Sequence, residues 1–357
     1  MPMSTRAASL AEVLDELTAE GAPELTEHLE GGDLRCYACG HRCLIKEGKR
    51  GICKVRYNEG GRLMVPVNYV AALACDPTEK KPFFHALPGS DTLTFGMLGC
   101  DLHCGYCQNW LTSQALRDDA AGVAPKMVTA DKLVSLAKAY GASLVGSSYN
   151  EPLITAEWAV DVFKRAKPAG FKTAFISNGN ATPQVLDYLR PWTDCYKIDL
   201  KSMSDRNYRK LGGVVDNILE TIQMVHERGF WEEIVTLVIP GFNDSEDELR
   251  SAADFIASVS PDIPWHVTAF HQDYNMTENA NTTAGQLIRA CEIGRAAGLR
   301  FVYAGNLPGR VGRWENTYCP SCDELLIERY GYQIRRMKVT PTGNCPSCSA
   351  TIPGIWS

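Results

Sequence analysis

The stretch GCDLHCGYCQNW, residues 99–110, places three cysteines within eight positions, at Cys100, Cys104 and Cys107. It directly follows TLTFGML (92–98), a run of apolar and β-branched residues that predicts a strand. A structural zinc site takes four side-chain ligands, and this stretch offers only three thiols. It therefore predicts a metal centre that lies on a loop after a strand and lacks one protein ligand.

Beyond this loop, short β-branched runs alternate with amphipathic helical patterns from about residue 90 to residue 306. Further strands are predicted at 142–148, 172–177, 195–200, 233–239, 265–270 and 300–305. Helices are predicted between them, at 131–140, 154–168, 183–191, 215–229, 246–258 and 283–297. Such alternation indicates a parallel sheet with helices outside it, either a barrel or a doubly wound fold.

Residues with chemically useful side chains follow the C-terminal ends of most predicted strands: Cys100, Tyr149-Asn150-Glu151, Ser177-Asn178, Asp199 with Lys201, and His271. Each of them alone has an ordinary explanation, such as a turn, a surface ion pair or a buried histidine. Barrels build their active sites at that end of the strands, and a chance scatter of polar residues would not favour one end. Together these residues predict a single site.

Three thiolates suit a [4Fe–4S] cluster that keeps one of its four irons free of protein ligands. Ferredoxin-type clusters take four cysteines, whereas a site one ligand short leaves a position open, as a catalytic zinc site does. The open iron can chelate the amino and carboxylate groups of S-adenosylmethionine (SAM), whose reductive cleavage yields a 5′-deoxyadenosyl radical. Tyr106, between the last two cysteines, can pack on the adenine. A zinc loop and three unrelated thiols are the alternatives.

The segment CDLHCGYC resembles the signature of the radical SAM superfamily, and the rest of the core resembles glycyl-radical-enzyme activases such as the pyruvate formate-lyase activating enzymes. Over roughly residues 33–356 the chain is similar to the radical SAM component of the AmmeMemoRadiSam system. The motifs that carry the resemblance are CLIKEGKRGICKVR (43–56), DPTEKKPFFHALPGS (76–90), GCDLHCGYCQNW (99–110), YNEP (149–152), KIDLKS (197–202), PGFND (240–244), GNLPGR (305–310) and ENTYCPSC (315–322). The fold that it implies is a partial (β/α)6-type TIM barrel, an α/β fold.

The resemblance also implies roles in SAM binding for single residues. Asn150 and Glu151 stand where the activases have a Gly-Gly-Glu-Pro segment that holds the SAM amino group, with Tyr149 beside them. Asp199 and Lys201 match an Asp-x-Lys element that meets the SAM carboxylate and ribose. These roles agree with the chemistry of SAM, because its ammonium and carboxylate groups call for a carboxylate and a donor near the cluster.

Two further elements of the activases have a match in this sequence, and the second match contains one substitution. His271 matches a histidine that closes that side of the SAM pocket. Ser177 and Asn178 match an Asp-Thr-Asn-Gly element, in which Ile176 replaces the aspartate. Since that aspartate helps the activases to bind a monovalent cation near SAM, such an ion is in doubt here.

A second group of cysteines lies upstream, at Cys36, Cys39, Cys43 and Cys53, with His41 as a spare ligand. Four thiolates can saturate a zinc ion. They can equally hold an auxiliary [4Fe–4S] cluster that passes electrons to the first one. The sequence identifies these residues as metal ligands and leaves the metal open.

A third group consists of two CPSC knuckles, with Cys319 and Cys322 in one and Cys345 and Cys348 in the other. Two such knuckles at this separation predict a zinc ribbon, with a rubredoxin-like iron or an iron–sulfur cluster as alternatives. The intervening residues predict two β segments around Gly331. The module is expected to fasten the open end of the barrel or to offer a docking surface for a partner.

Composition and charge limit the partners. A chain of 357 residues with a net charge of −6 has no strong electrostatic reason to coat nucleic acid. No apolar run reaches the ~18 residues that a membrane helix needs. The first 25 residues form an amphipathic helical pattern with acidic residues and not a signal peptide. We therefore expect a cytoplasmic protein with neither a membrane nor a nucleic acid as partner.

The sequence thus predicts four parts: an N-terminal helical segment (1–30), a Cys-rich module (31–88), a radical SAM partial barrel (89–312) and a zinc-ribbon-like module (313–357). The expected function is that of a radical SAM oxidoreductase of the activase type, with a [4Fe–4S] cluster, SAM and zinc at one or two sites. We expect a flavodoxin or ferredoxin as electron donor and a protein or peptide as substrate. A small-molecule substrate is the alternative, and an iron–sulfur electron-transfer protein is the alternative from another class.

Overall fold

Two small antiparallel sheets form the N-terminal part of the computed structural model, which describes residues 9–357. One sheet has the strand order β1-β6-β5 and the other β2-β3-β4. The elements are α1 (Leu10–Asp15), β1 (Thr18–Glu20), β2 (Thr26–His28), β3 (Leu34–Cys36), β4 (Leu44–Ile45), β5 (Tyr57–Glu59), β6 (Arg62–Pro66) and β7 (Tyr69–Val70).

The predicted N-terminal helical segment over residues 1–30 is wrong for most of its described part. Only α1 is α-helical, capped by the Ser9 hydroxyl, and residues 18–20 and 26–28 are strands. The reason is tertiary pairing: β1 forms an antiparallel ladder with β6, and β2 forms one with β3. The part of the prediction that concerns residues 1–8 lies outside the described residues.

The central sheet has eight strands in the order β16-β15-β14-β13-β12-β11-β9-β8. All pairs from β9 to β16 are parallel, and only β8 at the edge is antiparallel to its neighbour. The strands are β8 (Ala72–Pro77), β9 (Asp91–Gly96), β10 (Lys126–Met127, paired with β7), β11 (Leu144–Ser147), β12 (Lys172–Ser177), β13 (Cys195–Asp199), β14 (Trp231–Val238), β15 (Trp265–Ala269) and β16 (Val302–Gly305).

Helices connect the parallel strands, as the alternating pattern predicts. They are α2 (Trp110–Ser113), α3 (Ala130–Ala139), α4 (Ala156–Ala166), α5 (Pro183–Leu189), α6 (Asp205–Leu211), α7 (Val215–Glu227), α8 (Glu246–Val259) and α9 (Ala284–Ala296). In α4, Trp158, Val162 and Phe163 recur on one face and are buried. The partial barrel is therefore confirmed. Within residues 9–357, no helix is both long and apolar enough to cross a membrane.

The C-terminal module is a three-stranded antiparallel sheet of β17 (Thr317–Tyr318), β18 (Leu325–Tyr330) and β19 (Gln333–Met337), and β18 and β19 flank Gly331 as predicted. Leu326 and Ile327 pack in one buried cluster with Phe84 and Tyr303. The buried Arg329 guanidinium donates to the Phe84 carbonyl at 2.9 Å. The module is thus joined to the β16 side of the sheet by apolar burial and by a charged hydrogen bond.

Candidate functional site

A cavity of about 400 Å³ opens at the C-terminal ends of the parallel strands. All three cysteines of the 99–110 loop line it, together with eight of the nine side chains predicted to bind SAM. These eight are Tyr106, Tyr149, Asn150, Glu151, Ser177, Asn178, Asp199 and Lys201. The structure therefore gathers residues from the ends of three strands and from the cysteine loop after β9 around a single space, as the parallel topology requires.

The cysteine loop leaves β9 through Gly99, which has φ +91° and packs tightly. A Cβ at Gly99 would lie 2.9 Å from the Val55 side chain, so only glycine fits. The Leu102 N–H donates to Cys100 Sγ at 3.4 Å, and the Ser113 hydroxyl lies 3.2 Å from Cys107 Sγ. Hydrogen bonds of this kind stabilise thiolates that are bound to a metal.

The spacing of these thiols is too wide for one metal ion. Among residues 9–357, the one group of three or more metal-ligating side chains whose ligand atoms all lie within 4.8 Å of one another is elsewhere, in the C-terminal module. In a [4Fe–4S] cluster each thiolate binds a different iron, and the thiolates therefore stand farther apart than around one ion. The loop fits a cluster better than it fits a zinc ion.

Glu151 lies at the centre of the polar wall. Its carboxylate accepts hydrogen bonds from the Ser177 hydroxyl at 2.7 Å, the Asn178 N–H at 2.6 Å and the Leu153 N–H at 3.1 Å. Burial, followed by the nearby Asp101 carboxylate, raises the pKa of Glu151 to about 8 despite these bonds. A cation placed in the cavity would favour the ionised form.

Asp199 is held between two lysines. The Lys197 ammonium forms an ion pair with one carboxylate oxygen, and Lys201 Nζ lies 3.5 Å from the other. Burial alone would raise the pKa of Asp199, but the two lysines lower it below its ordinary value. Lys197 also lines the cavity and was not predicted. The signal was available, since Lys197 and Asp199 alternate along β13 and so point to one face of the sheet.

The YNEP segment is held by backbone geometry as well as by side chains. Tyr149 has φ +70°, and its hydroxyl accepts a hydrogen bond from the Lys81 ammonium at 3.1 Å. Asn150 Oδ1 accepts from the Met97 N–H at 2.9 Å, which ties the segment to the end of β9. The Asn150 side chain therefore positions the two strand ends, and its role toward SAM stays a prediction.

Asp101, next to Cys100, is a second residue that the sequence analysis missed. It is buried, and its two carboxylate oxygens accept from the Asn178 and Asn180 amides at 2.7 and 2.8 Å. The Asn178 side chain is thus directed toward the cysteine loop. The position of an aspartate directly after the first motif cysteine was the available signal.

His271 is the one predicted SAM-binding side chain that does not line this cavity. It is exposed, accepts a hydrogen bond from the Gln108 amide at 2.9 Å and lines a neighbouring cavity of about 380 Å³. Six residues are common to the two cavities: Lys80, Pro82, Gln108, Thr268, Asn306 and Tyr332. The two cavities therefore adjoin, and His271 stands on the outer side of the shared wall.

The C-terminal cysteines form a compact group. Cys319 Sγ lies 3.6 Å from Cys348 Sγ, and Cys322 Sγ lies 3.7 Å from Cys345 Sγ. A tetrahedral zinc ion with Zn–S bonds of about 2.3 Å places its sulfurs about 3.8 Å apart. The four thiols are therefore arranged for one tetrahedral metal ion.

The upstream cysteines are arranged differently. Cys36, Cys39 and Cys53 are buried and Cys43 is half-buried. No three of their sulfurs lie within 4.8 Å of one another, unlike those of the C-terminal group in the same described chain. The structure thus brings the four residues to one region but not to the distances around a single ion.

Comparison with known sequences connects this site to a family. The family described as the radical SAM superfamily matches residues 95–256. An uncharacterized protein of Methanocaldococcus jannaschii is 33% identical over 330 residues, which cover 91% of this chain and 97% of that protein. The pyruvate formate-lyase 1-activating enzyme of Escherichia coli is 27% identical over 205 residues, which cover 54% of this chain and 80% of that enzyme. The isethionate sulfite-lyase activating enzyme of Oleidesulfovibrio alaskensis is 24% identical over 251 residues, covering 67% and 76%.

Solved structures are similar at a lower level. A domain of a pyruvate-formate lyase-activating enzyme from Bacteroides vulgatus has a TM-score of 0.41 and 24% identity, covering 45% of this chain and 98% of that chain. SuiB of Streptococcus suis, bound to its precursor peptide SuiA, has a TM-score of 0.47 and 17% identity, covering 64% and 51%.

Proposed function

This chain belongs to the radical SAM superfamily, and from that premise we propose that Cys100, Cys104 and Cys107 hold a [4Fe–4S] cluster beside a bound SAM. When bound, the cluster and SAM together supply reductive cleavage of the SAM S–C5′ bond and a 5′-deoxyadenosyl radical. One observation carries the proposal: three thiols and eight polar or aromatic side chains, chosen from the sequence for these two groups, line one cavity.

The residues present fit both groups. Three thiols spaced more widely than a single ion allows match three irons of a cube. The buried carboxylate of Glu151 suits the SAM ammonium, and Lys201 and Lys197 suit the SAM carboxylate. Tyr106 is buried beside Phe242, with ring centroids 5.9 Å apart, and offers an apolar wall for the adenine.

The protein's own part in the reaction is to bind, orient and exclude water. Glu151 releases its proton when the ammonium arrives, because an adjacent cation stabilises the carboxylate. Asp199 keeps both lysines in place and stays ionised. Half of the side chains that line the cavity are buried, among them Tyr106, Glu151 and Lys197, and they limit the access of water to a reactive intermediate.

We propose hydrogen abstraction from a substrate that reaches the site through the adjoining cavity, where His271 and Tyr332 stand. A protein or peptide substrate is supported by the two relatives that are named activating enzymes. A small molecule is the alternative, because the adjoining cavity of about 380 Å³ is of the size that such ligands fill. Membership of the AmmeMemoRadiSam system, a flavodoxin or ferredoxin as reductant, and a cytoplasmic location remain part of this proposal.

The C-terminal group is proposed to hold zinc. Its sulfur–sulfur distances of 3.6 and 3.7 Å match one tetrahedral ion, and its position under β17 and β18 suits a structural role. A rubredoxin-like iron has the same ligands, so metal analysis of the purified protein distinguishes the two.

The test of the proposed function is anaerobic reconstitution with iron and sulfide, followed by dithionite and SAM. We expect 5′-deoxyadenosine from the wild-type protein and none from Cys104→Ala, with the zinc content of the variant unchanged. Cys75→Ala serves as the matched control, because Cys75 lies on β8 outside all three cysteine groups. Absence of 5′-deoxyadenosine from wild-type protein with an intact, reduced cluster would identify an electron-transfer protein instead. Loss of zinc together with the product would show that the sites are wrongly assigned.

A further inference from the structure

The four upstream cysteines converge on one buried place. Hydrogen bonds connect their positions: the Cys36 N–H donates to the Cys43 carbonyl at 3.0 Å, the Arg42 N–H donates to the Cys39 carbonyl at 3.0 Å, and the Ile52 N–H, next to Cys53, donates to Cys43 Sγ at 3.5 Å. Three of the four are buried in the described chain, and none is in a disulfide. Convergence of four reduced thiols in a protein interior, without cross-links, is the donor set of a metal centre.

The distances between the sulfur atoms of this group indicate whether it holds a single metal ion or a cluster. The C-terminal group gives an internal standard, because its four ligand atoms all lie within 4.8 Å of one another. No three sulfurs of the upstream group, which lies within the described residues, meet that limit. The group therefore resembles the Cys100 loop in being too wide for one ion. Thiolates that bind separate irons of a cluster are spread in this way.

Arg56 provides a second, independent observation. Its guanidinium is buried, pairs with both Glu157 oxygens at 2.7 Å, and lies close enough to Cys36 and Cys53 to interact with their charges. Its Nε–H has no hydrogen-bond acceptor among the described residues. A buried donor without a partner calls for an explanation, and the sulfur atoms of a cluster beside it would accept this N–H.

The upstream cysteine group also adjoins the cysteine loop at residues 99–110. His41, between two of the ligands, donates from Nε2 to the Asp101 carbonyl at 3.2 Å. The Gly40 N–H donates to the Asn180 carbonyl at 2.7 Å, and Asn180 in turn binds the Asp101 carboxylate. One hydrogen bond thus separates the upstream ligand loop from the residue that follows Cys100.

We propose that Cys36, Cys39, Cys43 and Cys53 bind an auxiliary iron–sulfur cluster through all four thiolates, and not a zinc ion. The proposal does not depend on the proposed function, because the geometry of these four residues and Arg56 carries it. Together with the proposed function, it gives the chain two iron–sulfur centres and one single-ion centre.

The test uses the full chain with the catalytic cysteines removed. The triple variant Cys100→Ala, Cys104→Ala, Cys107→Ala is reconstituted anaerobically with iron and sulfide, and iron, acid-labile sulfide and zinc are measured alongside Mössbauer spectra. We expect iron and sulfide to remain, in equal amounts, with one zinc per chain. A protein with two zinc ions per chain and no sulfide would overturn the proposal.

A second variant guards against a folding failure of the first. Cys39→Ser and Cys43→Ser together, in an otherwise wild-type chain, are expected to lower the iron content to that of one cluster, while Cys75→Ala leaves it unchanged. Unchanged iron in the double variant would contradict the proposal. If instead the Cys100 loop holds no cluster, the double variant loses all its iron and the triple variant none, which distinguishes failure of the proposed function from failure of this one.

Discussion

Glu151 is the residue at which we expect a change of protonation to be coupled to SAM binding. Its three hydrogen-bond donors come from the backbone of the 3-10 turn at 152–155 and from the end of β12, so the carboxylate cannot turn away. Burial and the neighbouring Asp101 carboxylate keep the group largely protonated at neutral pH, with a pKa of about 8. The ammonium of SAM requires the ionised form.

We therefore expect SAM to bind more tightly as pH rises toward 8. Below its pKa, Glu151 must release one proton on binding, so the Kd falls about tenfold per pH unit and levels off above the pKa. Equilibrium dialysis of SAM against cluster-loaded protein measures this. Glu151→Gln is expected to bind about 10- to 100-fold more weakly, because a charged hydrogen bond is lost, and to lack the wild-type pH slope. A Kd for the wild-type protein that does not change with pH would contradict the role of Glu151.

At this scale, the sequence predicted the residues that line the cavity better than the residues that support them. Cys100, Glu151 and Asp199 were found because they follow strand ends and match known motifs. Lys197 and Asp101 lie within the motifs KIDLKS and GCDLHCGYCQNW but were missed, because the resemblance assigned no role to either; each holds a predicted ligand in place. His271 was placed on the SAM cavity, whereas its side chain turns to the adjoining one.

The element that positions the YNEP segment is β9, which approaches it through Gly96. A Cβ at Gly96 would lie 2.5 Å from the Ser148 carbonyl oxygen and 2.8 Å from the Tyr149 Cβ. Both are atoms of the turn after β11, and Tyr149 has little room to move at φ +70°. The end of β9 is thus fitted to the turn that carries Glu151.

Gly96→Ala is accordingly expected to displace that turn. We expect a loss of about 1–3 kcal/mol in the free energy of unfolding, typical of overpacking, and a larger Kd for SAM. Gly146→Ala is the matched control, because its Cβ would meet its nearest atom, in Thr92, at an ordinary 3.4 Å. Denaturant unfolding and SAM dialysis give both quantities. Equal SAM binding by the two variants would show that the β9 end does not position the site.

The spacing of apolar residues predicted the helices and strands of the parallel core well. Each buried element repeats its apolar residues on the side that faces the core. Residues 172–177 form a strand as predicted, and α8 at Glu246–Val259 differs from prediction by one residue. Among the elements that the sequence did not predict, two are informative. The strand β8 pairs antiparallel with β9 across a long loop, and the short α6 ends after two turns at Gly212. The burial of side chains along β8 does not alternate, and α6 has only seven residues, so neither element shows a clear periodic signal.

At the scale of the whole molecule, we expect the C-terminal module to depend on a metal at its four cysteines for its stability. Its three strands are short, and its small buried cluster is shared with Phe84, Phe301 and Tyr303 of the barrel. Small modules of this kind rely on a structural metal for much of their stability. We therefore expect loss of the metal to weaken the contacts between the module and the barrel edge at β16.

Cys322→Ser is expected to lower the bound zinc from about one ion per chain to about none and to lower the melting temperature. Ser321→Ala, an exposed neighbour between the same two cysteines, is the control and is expected to change neither. Zinc analysis and thermal denaturation measure the two effects. Full zinc retention by Cys322→Ser would exclude this residue as a ligand.

The overall plan of three cysteine groups around one barrel could be predicted, but the metals could not. Spacing along the chain identifies ligands, whereas the metal follows from the distances between sulfurs, which only the folded chain provides. The N-terminal region shows the same limit, since β1 becomes a strand through pairing with β6, far along the chain. The boundaries of the four parts remain predictions.

The central claim is that the cluster on Cys100, Cys104 and Cys107 has one iron open to SAM. Electron–nuclear double resonance of the reduced protein, with SAM labelled at its amino nitrogen and carboxylate oxygen, tests it most directly. The account predicts hyperfine coupling from both labels, which disappears in the Cys104→Ala variant. A reduced cluster on this loop that shows coupling to neither label and carries a fourth side-chain ligand would contradict the account.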